Sequence, residues 1–419
     1  MRLKKNITGK RGLMRLIGHI GHIGLMRPMR LGLFCLLLAS CTPEPPLHLY
    51  DEATVELDQP IIDLDLKVVW DYELIFGVTY DWTTEWYYGW DEEDQDIFGE
   101  LGYVAPNVFN LRRYYTGSTP LAPHATVRRH TVEGTHFQDS YEWGFWDLLV
   151  WNQIQTIDGV QSLHFDETTT LDSVTAYTNQ SMNAARYNAP RYTHAFYAPE
   201  PLFSAYDQAI EINRNLDGFT YDPERRVYHR QLNMELHPIT YIYLTQVILH
   251  HNNGRITSID GSSNLSGMAR STCLNSGRAG DDAITVYYNS RFKQNLPYLP
   301  YSKTLGKTDG FPEAEKVDIA GGRLMTFGIC GLPPRRVVTA SDIHDLHRHY
   351  MDVTMQFNNG MDSTFVFDVT EQVRQRYKGG VLTVELDMDT VPIPQRKGGS
   401  GFNAVVKDFE DGGTHEFEM

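Results

Sequence analysis

The sequence lacks the short motifs that mark many catalytic centres. It contains no G-x-S-x-G, no P-loop, no H-E-x-x-H and no Cys-x-x-Cys pattern. Each of these patterns supplies a nucleophile, a phosphate cradle or a set of metal ligands at fixed spacing. Their absence leaves no recognisable set of residues that points to an enzyme.

Basic residues are scarce after residue 40. The whole chain has 37 Lys and Arg against 53 Asp and Glu, a net charge of −16. Eight of the basic residues and no acidic ones lie in residues 1–40, so the rest of the chain carries −24. Non-specific binding to nucleic acid needs cations against phosphate. We therefore expect no nucleic-acid partner.

The sequence also lacks an apolar run of the about 20 residues that a membrane-spanning helix requires. The apolar segment Leu31–Leu38 follows Arg27 and Arg30 and has the length of a signal-peptide core. We predict a signal peptide over residues 1–40, with translation starting as late as Met29.

The signal peptide ends in Leu38-Ala39-Ser40-Cys41, which looks like a bacterial lipobox. The cysteine of a lipobox is lipidated and becomes the new N-terminus, and each acyl chain contributes about 0.8 kcal/mol per buried CH₂ to membrane binding. Cys41 is thus the predicted lipid anchor, and the Pro-rich residues 41–54 are a predicted tether. An ordinary signal peptide followed by a chance cysteine is the alternative.

Long helical periodicity is scarce, whereas strand patterns are frequent. In IIDLDLKVVW, residues 61–70, apolar and polar side chains alternate with period two, and VLTVELDM, residues 381–388, does the same. Alternating strands separated by Gly, Asn and Pro turns are typical of antiparallel β-sandwiches. The sequence predicts an all-β protein.

Three segments carry local signals for a hairpin or for a single helix or strand. Residues 350–357 and 363–370 flank Asn358-Asn359-Gly360 and are predicted to form a hairpin. Residues 239–249 and 256–259 are predicted to form a second hairpin around Asn253-Gly254. The segment LFSAYDQAI, residues 202–210, has helical spacing but is short, so helix and strand both stay open.

A polar Gly/Pro stretch at residues 216–226 is a candidate domain boundary. It predicts an N-terminal β-sandwich domain over residues 55–225 and a C-terminal one over 226–419. Each half is long enough for a seven-stranded sandwich.

The segment YDWTTEWYYGWDEEDQDIFGELGY, residues 80–103, is rich in aromatic and acidic residues. It holds Trp82, Trp86 and Trp90, whose spacing of four would form one stripe on a helix that Gly89 interrupts. Asp91 is a candidate helix cap. Two functions are open: buried tryptophans that pack a long connection onto the fold, with the acids facing water, or an exposed platform for glycans.

Two segments contain several residues of the types that bind metal ions. DEEDQD, residues 91–96, lacks the register and the glycine of a calcium loop. A predicted polar loop before a strand contains His344, His347 and His349. No metal site is predicted.

Two cysteines, Cys273 and Cys330, remain after Cys35 in the leader and Cys41. An exported protein is in an oxidising compartment, where cysteines often pair. One disulfide and two independent thiols are both compatible with the sequence.

Four motifs in the second half, taken in order, resemble one known family. They are LSGMARS (Leu265–Ser271), TFGIC (Thr326–Cys330), FDVTEQV (Phe367–Val373) and GGVLTVELDMDTVPIP (Gly379–Pro394). In this order they are similar to fimbrillin-type lipoproteins, the anchor and accessory subunits of Bacteroidales pili, and the resemblance covers roughly Leu47 to the C-terminus. It implies two transthyretin-like β-sandwich domains in tandem, a lipid anchor, the outer-membrane surface, and neither catalysis nor a cofactor.

The resemblance predicts an outer-membrane surface lipoprotein that is a fimbrial-like accessory or anchor subunit and contacts pilin-like subunits by strand addition. The alternative is a glycan-binding surface lipoprotein of a saccharide-uptake system. Stalk subunits of the resembled superfamily lose their first strand to an arginine-specific protease. Here Lys67 is the one basic residue between Cys41 and Arg112, so we expect the first strand to stay in place.

The C-terminal segment GFNAVVKDFE, residues 401–410, also alternates. It is predicted to be either the edge strand of its own domain or a strand offered to a partner.

Overall fold

The protein is nearly all β in its computed structural model, which confirms the predicted fold class. The described residues are 59–70, 85–120, 126–154, 162–167, 174–181, 195–298, 315–332 and 347–395. All of them belong to one compact unit that begins at Gln59.

The described residues form nineteen strands and two short helices. In chain order they are β1 (Ile61–Val68), α1 (Glu92–Phe98), β2 (Val108–Gly117), β3 (Thr126–Glu133), β4 (His136–Ser140), β5 (Gly144–Asn152), β6 (Leu163–Asp166), β7 (Thr175–Thr178), β8 (Ala195–Tyr197), β9 (Phe203–Ile212), β10 (Thr220–Asp222), β11 (Val227–Pro238), β12 (Tyr241–His250), β13 (Ile256–Ala269), β14 (Ser271–Cys273), β15 (Ala283–Tyr298), β16 (Glu315–Thr326), β17 (Tyr350–Phe357), β18 (Asp362–Asp368), α2 (Thr370–Gln375) and β19 (Gly380–Asp387).

The first large sheet has the order β3-β2-β5-β9-β11-β1-β4, with β10 beside β11. Its two halves meet only where His237 and Pro238 of β11 pair with Ser204 and Phe203 of β9. β3 and β4 lie at opposite ends of this order, yet only two residues separate them in the chain. The sheet must therefore fold over on itself, which places the two halves face to face as in a sandwich.

The second large sheet folds over in a similar way. Its order is β18-β17-β13-β15-β16-β12-β19, with β8 beside β15. The first part of β15, residues 283–289, pairs with β13, and the last part, residues 290–298, pairs with β16. Val247 and Leu249 of β12 share one buried core with Leu265 of β13, so the two halves of this sheet also enclose a core between them.

A third, small sheet of three strands has the order β14-β7-β6. It connects the halves of the chain, because β14 follows β13 while β6 and β7 lie between β5 and β9. Ala176 of β7 and Thr272 of β14 are buried beneath it.

The structure confirms two local predictions and corrects one. β1 buries Ile62, Leu64 and Leu66 on the predicted face, and β17 and β18 form the predicted hairpin. The second predicted hairpin is wrong, because β12 pairs with β16 and β19 whereas β13 pairs with β15 and β17. The turn at Asn253-Gly254 carries the chain from one layer of the sandwich to the other.

The segment with helical spacing at residues 202–210 is strand β9. Its pairing with β5 shifts register between Asp207 and Ile210, and Ala209 has a φ of 56° there. Asp147 Oδ1 accepts a hydrogen bond of 2.7 Å from the Ala209 amide and fixes this bulge. An inserted residue changes which side chains face inward, which explains why the apolar spacing resembled that of a helix.

The change from the first large sheet to the second falls between Pro238 and Tyr241. β11 therefore belongs to the first sheet, although residues 227–238 lie beyond the stretch at 216–226 that suggested a boundary. The division into domains at residues 225 and 226 stays a prediction.

Candidate functional site

The first strand is held on both of its edges. β1 pairs in parallel with β11 over its whole length and antiparallel with β4 from Ile61 to Asp65. Beyond the ladder with β4, the Leu66 amide donates to Thr135 O at 2.7 Å. β1 is thus an interior strand, and its removal would leave a groove between β11 and β4.

The outward side chains of β1 also bind both neighbours. Asp65 accepts from Gln231 of β11 at 2.7 Å and lies 2.8 Å from His136 Nδ1 of β4. Lys67 forms a 3.3 Å ion pair with Glu235, its partner in the register with β11. These polar contacts fix the register of β1 while its apolar side chains fill the core.

After β1 the chain leaves the first sheet and crosses the second. Residues 85–103, which we call the aromatic strap, cover one face of β12, β16 and β19 before β2 begins. Trp86 is 3% exposed and Tyr88 is 1% exposed, and their rings stack 5.7 Å apart. Trp90 is half-buried and its ring lies 5.7 Å from that of Trp86. Trp82 lies outside the described residues.

The core beneath the strap follows from alternation in β12. Ile242, Leu244 and Ile248 face the strap, whereas Tyr243 and Val247 face the interior of the second sandwich. β12 is therefore buried on both faces, which agrees with its largely apolar sequence.

Room for the strap depends on a glycine of β16. A side chain at Gly321 would collide with the ring of Tyr88 and lie 3.0 Å from Thr245 O. The glycine therefore allows the Tyr88 ring to pack directly against the backbone of the sheet.

One buried glutamine holds the strap's backbone. Gln246 of β12 has no exposed surface, and its Oε1 accepts from the amides of Tyr87 at 2.9 Å and Tyr88 at 3.2 Å. Its Nε2 donates to Glu85 O and to Thr383 Oγ1, both at 2.8 Å. Both ends of the carboxamide are thus used, which is what a buried polar group requires.

The acidic residues of the strap form a helix cap. Asp91 caps α1 as predicted, accepting from the Asp94 amide at 2.9 Å, and Asp94 Oδ2 accepts in return from the Asp91 amide at 2.9 Å. This reciprocal pair is a capping box, with aspartate at the third helical position where glutamate is more usual.

The prediction that these acids face water is wrong for Asp94, whose side chain has no exposed surface. Arg291 Nη1 lies 2.9 Å from Asp94 Oδ1, and Lys293 Nζ binds Asp94 Oδ2. Tyr88 donates its hydroxyl to Asp94 Oδ1 at 2.7 Å. Burial, together with this bond, raises the pKa of the Tyr88 hydroxyl well above its usual range, so the tyrosine stays protonated and donates.

The far end of the strap is bound by an arginine and a tyrosine. Arg323 of β16 donates to Leu101 O at 2.9 Å and to Gly102 O at 3.3 Å. Tyr103 donates its hydroxyl to Thr240 O, just before β12. The β1–β2 connection is therefore fastened along its described length to the second sheet, which couples the two halves of the protein.

The cysteines of the second half are not joined in a disulfide in the structure. Cys273 Sγ donates to Asn275 Oδ1 at 2.6 Å, and Cys330 Sγ lies 4.0 Å from Gly267 O. Both side chains are half-buried. Cys41 lies outside the described residues.

One group of three potential metal ligands lies within the described residues. Ligand atoms of His251, Asp387 and Asp389 lie within 4.8 Å of one another, and all three residues are exposed. His251 Nδ1 lies 3.0 Å from Asp387 Oδ1, and Arg255 lies 3.8 Å from Asp389. Ion pairs account for this cluster without a metal.

The histidines between residues 344 and 349 do not assemble into a metal site within the described residues. His349 is fully buried, with Nδ1 3.2 Å from Ser266 O. His347 is half-buried, and His344 lies outside the described part of the chain.

No protein-family model matches the sequence, and no curated protein matches it. Solved structures do. A candidate adhesin from Bacteroides ovatus is 11% identical with a TM-score of 0.42, covering 80% of this chain and 94% of that one. The fimbrial anchor protein Mfa2 from Porphyromonas gingivalis is 11% identical with a TM-score of 0.38, covering 78% and 90%. The tip fimbrial protein Mfa3 from the same species is 8% identical with a TM-score of 0.29, covering 86% and 98%.

These neighbours are adhesin and fimbrial proteins of Bacteroidales, the kind of protein that the sequence motifs resemble. At TM-scores below 0.5 the likeness assigns neither a ligand nor a partner to this chain. None of the helices in the described part of the chain is long and apolar enough to cross a membrane.

Proposed function

We propose that the protein is a lipid-anchored surface protein of the outer membrane that serves as a fimbrial-like accessory or anchor subunit and has no catalytic activity. The lipobox that ends at Cys41 supports the anchor, and the four motifs between Leu265 and Pro394 support the family. The all-β fold with two folded-over sheets agrees with the family resemblance.

The observation that carries the anchor or accessory role is the position of β1. A subunit that propagates a polymer by strand addition must open a groove for its neighbour's strand. Here the groove is filled by β1, which pairs with β11 on one side and β4 on the other. No arginine precedes Arg112 after Cys41, so an arginine-specific protease has no site at which to release the strand.

The alternative function, a glycan platform built from the tryptophans, has less support. Trp86 is buried and stacks on Tyr88, and Trp90 packs on Trp86 and on Phe98, whose ring lies 5.6 Å away. The buried Trp86 ring has no open face on which a sugar could stack, and the half-buried Trp90 ring is partly covered by its aromatic neighbours.

Membrane fractionation tests the anchor. Cys41→Ala should move the protein from the membrane fraction to the soluble fraction, because the acyl chains are its proposed attachment. A variant that stays on the membrane after a high-salt wash would refute the lipid anchor.

The mass and N-terminal sequence of the protein isolated from the cell surface test the accessory or anchor role. We expect the mature chain to begin at Cys41 and to retain β1. A surface form that begins after residue 68 would show that the strand is released, as in a polymerising subunit. Cross-linking on the cell surface to pilin-like subunits is the expected positive result.

A further inference from the structure

A cleft lined by both polar and apolar surface lies on the small three-stranded sheet, which contains neither the strap nor β1. It has a volume of about 500 Å³, within the range of about 300–1,000 Å³ that is usual for small-molecule sites. Neither the anchor nor the strand-retention role uses it.

The face of the cleft is set by strand alternation. Ala176 and Thr272 point into the core and are 0% and 1% exposed, so Thr175, Tyr177 and Cys273 point outward. Register places Tyr177 opposite Ser271 and Thr175 opposite Cys273. The outward face of β7 and β14 therefore presents the hydroxyl groups of Thr175 and Ser271, the thiol of Cys273 and the ring of Tyr177.

The chain after β14 extends this face by a further row. The Cys273 amide donates to Arg278 O at 2.9 Å, and the Gly280 amide donates to Ser271 O at 2.8 Å. Ala279 points inward and is 2% exposed, so Arg278 and Gly280 lie on the same outward face as the cleft.

The absence of a side chain at Gly280 leaves a depression in this face. A side chain at this position would collide with Ser271 Oγ, so Ser271 and Gly280 together form a low floor. Tyr177 stands beside that floor as a wall, and His164 braces it with a parallel ring 5.1 Å away. The Tyr177 ring therefore rises beside a low surface that is formed by the Ser271 hydroxyl and the Gly280 backbone.

The rim of the cleft carries charge of both signs. Arg278 and Asp281 form an ion pair of 3.6 Å, with side chains 58% and 81% exposed. An exposed pair of this length contributes little to stability. Its guanidinium and carboxylate groups are therefore available, at little cost, to donate to and accept from a ligand.

We propose that this cleft binds a saccharide unit. A sugar presents many hydroxyl groups, each of which donates and accepts hydrogen bonds, and the cleft offers donors and acceptors on the floor, the wall and the rim. An apolar ligand would form no hydrogen bonds with the Arg278, Asp281 and Ser271 groups. The proposal goes beyond the anchor role and does not depend on it.

Saturation-transfer NMR on the purified full-length protein in detergent tests the proposal, with glucose, galactose, N-acetylglucosamine and glucuronate as probes. At least one probe should receive saturation from the protein. Asp281→Asn and Tyr177→Ala should each weaken its binding by about tenfold or more, because each removes a direct contact. If Arg278→Gln abolishes the binding of glucuronate and leaves the binding of neutral sugars unchanged, the cleft prefers acidic sugars. If Arg278→Gln weakens the binding of neutral sugars and of glucuronate equally, the arginine binds sugar hydroxyl groups.

A second exposed ion pair with the same three-residue spacing, Glu371–Arg374 on α2, provides the control. Glu371→Gln and Arg374→Gln should leave saccharide binding unchanged. The proposal is overturned if no probe binds the wild-type protein, or if the cleft variants, with melting temperatures like that of wild type, bind as tightly as it does. Cys41→Ala distinguishes saccharide binding from membrane attachment. That variant should no longer bind the membrane but should still bind the saccharide.

Discussion

Asp94 Oδ1 lies 2.9 Å from Nη1 of Arg291, although one residue belongs to the connection after β1 and the other to β15 of the second sheet. The Asp94 side chain has no exposed surface, whereas the Arg291 side chain is 21% exposed. A buried carboxylate is tolerated only when it is paired and hydrogen-bonded. Lys293, Arg291 and Tyr88 satisfy it together, so this carboxylate fastens the strap to the sheet at one defined position.

We expect Asp94→Ala to destabilise the protein by about 3 kcal/mol, because it removes the charged hydrogen bonds that join Tyr88, Arg291 and Lys293 at one buried carboxylate, although Asp91 still pairs with both cations. The melting temperature should fall by several degrees. Glu92→Ala, on the exposed side of α1, should melt like wild type and serves as the control. A melting temperature unchanged in Asp94→Ala would show that the ion cluster does not hold the strap.

Trp86→Ala should also lower the melting temperature by several degrees. The side chain is 3% exposed, and truncation of a buried tryptophan costs about 3–5 kcal/mol. Trp90→Ala should have a smaller effect, because that ring is half-buried. If both variants melt like wild type in calorimetry, the packing role of the tryptophans is wrong.

Lys67→Arg tests how firmly β1 is held. The Lys67 side chain is 70% exposed, so the substitution keeps the charge and the packing while it introduces a cleavage site for an arginine-specific protease. The native variant should resist cleavage at residue 67, because its backbone is paired with β11. The same variant should be cut there once it is unfolded in urea, which shows that the site itself is a substrate. Rapid release of the strand from the native variant would argue against a retained β1.

The sequence predicted those elements whose evidence is local. Alternation along β1 and β19 defines which side chains are buried, and the Asn358-Asn359-Gly360 turn defines its hairpin. Asp91 is recognisable as a cap because a cap is formed within one helical turn.

Other features depend on residues that are distant in sequence. In the sequence, Gln246 and Arg291 cannot be distinguished from other polar residues of strands, because their role depends on contact with the strap. Nothing near Asp94 in the sequence indicates that its side chain is buried. The inward and outward rows of β9 change places at a bulge, which a fixed period cannot represent. The β12–β13 turn shows the same limit: a turn motif marks a reversal but does not state whether the strands pair or lie in opposite layers.

Thiol labelling tests the state of the two cysteines. Cys273 Sγ and Cys330 Sγ contact Asn275 and Gly267 in the structure and not each other. The denatured and unreduced protein should therefore take up two equivalents of a thiol reagent, because the proposed processing removes Cys35 with the leader and attaches lipid to Cys41. Uptake only after reduction would show that an oxidising compartment joins the two cysteines.

Asp352 of β17 is the strongest candidate for pH-dependent stability. It is 8% exposed and accepts a hydrogen bond of 2.8 Å from Asn264 Nδ2 of β13. Burial raises the pKa of the Asp352 carboxyl to about 7, against the lowering effect of the bonds from Asn264. In the unfolded chain the same group has its ordinary pKa near 4.

Between about pH 4 and pH 7 the folded protein keeps a proton on Asp352 that the unfolded chain has released. The free energy of unfolding should therefore fall as pH rises through this window, by up to about 1.4 kcal/mol per pH unit, and should level off above pH 7. Asp352→Asn removes the titrating group, and its amide can still bond with Asn264. Urea unfolding at a series of pH values should show the variant overtaking wild type as pH rises from 4 to 8. Asp362→Asn, at an exposed position of the neighbouring β18, should follow the wild-type profile. Parallel profiles for wild type and Asp352→Asn would mean that this carboxyl does not titrate differently in the folded protein.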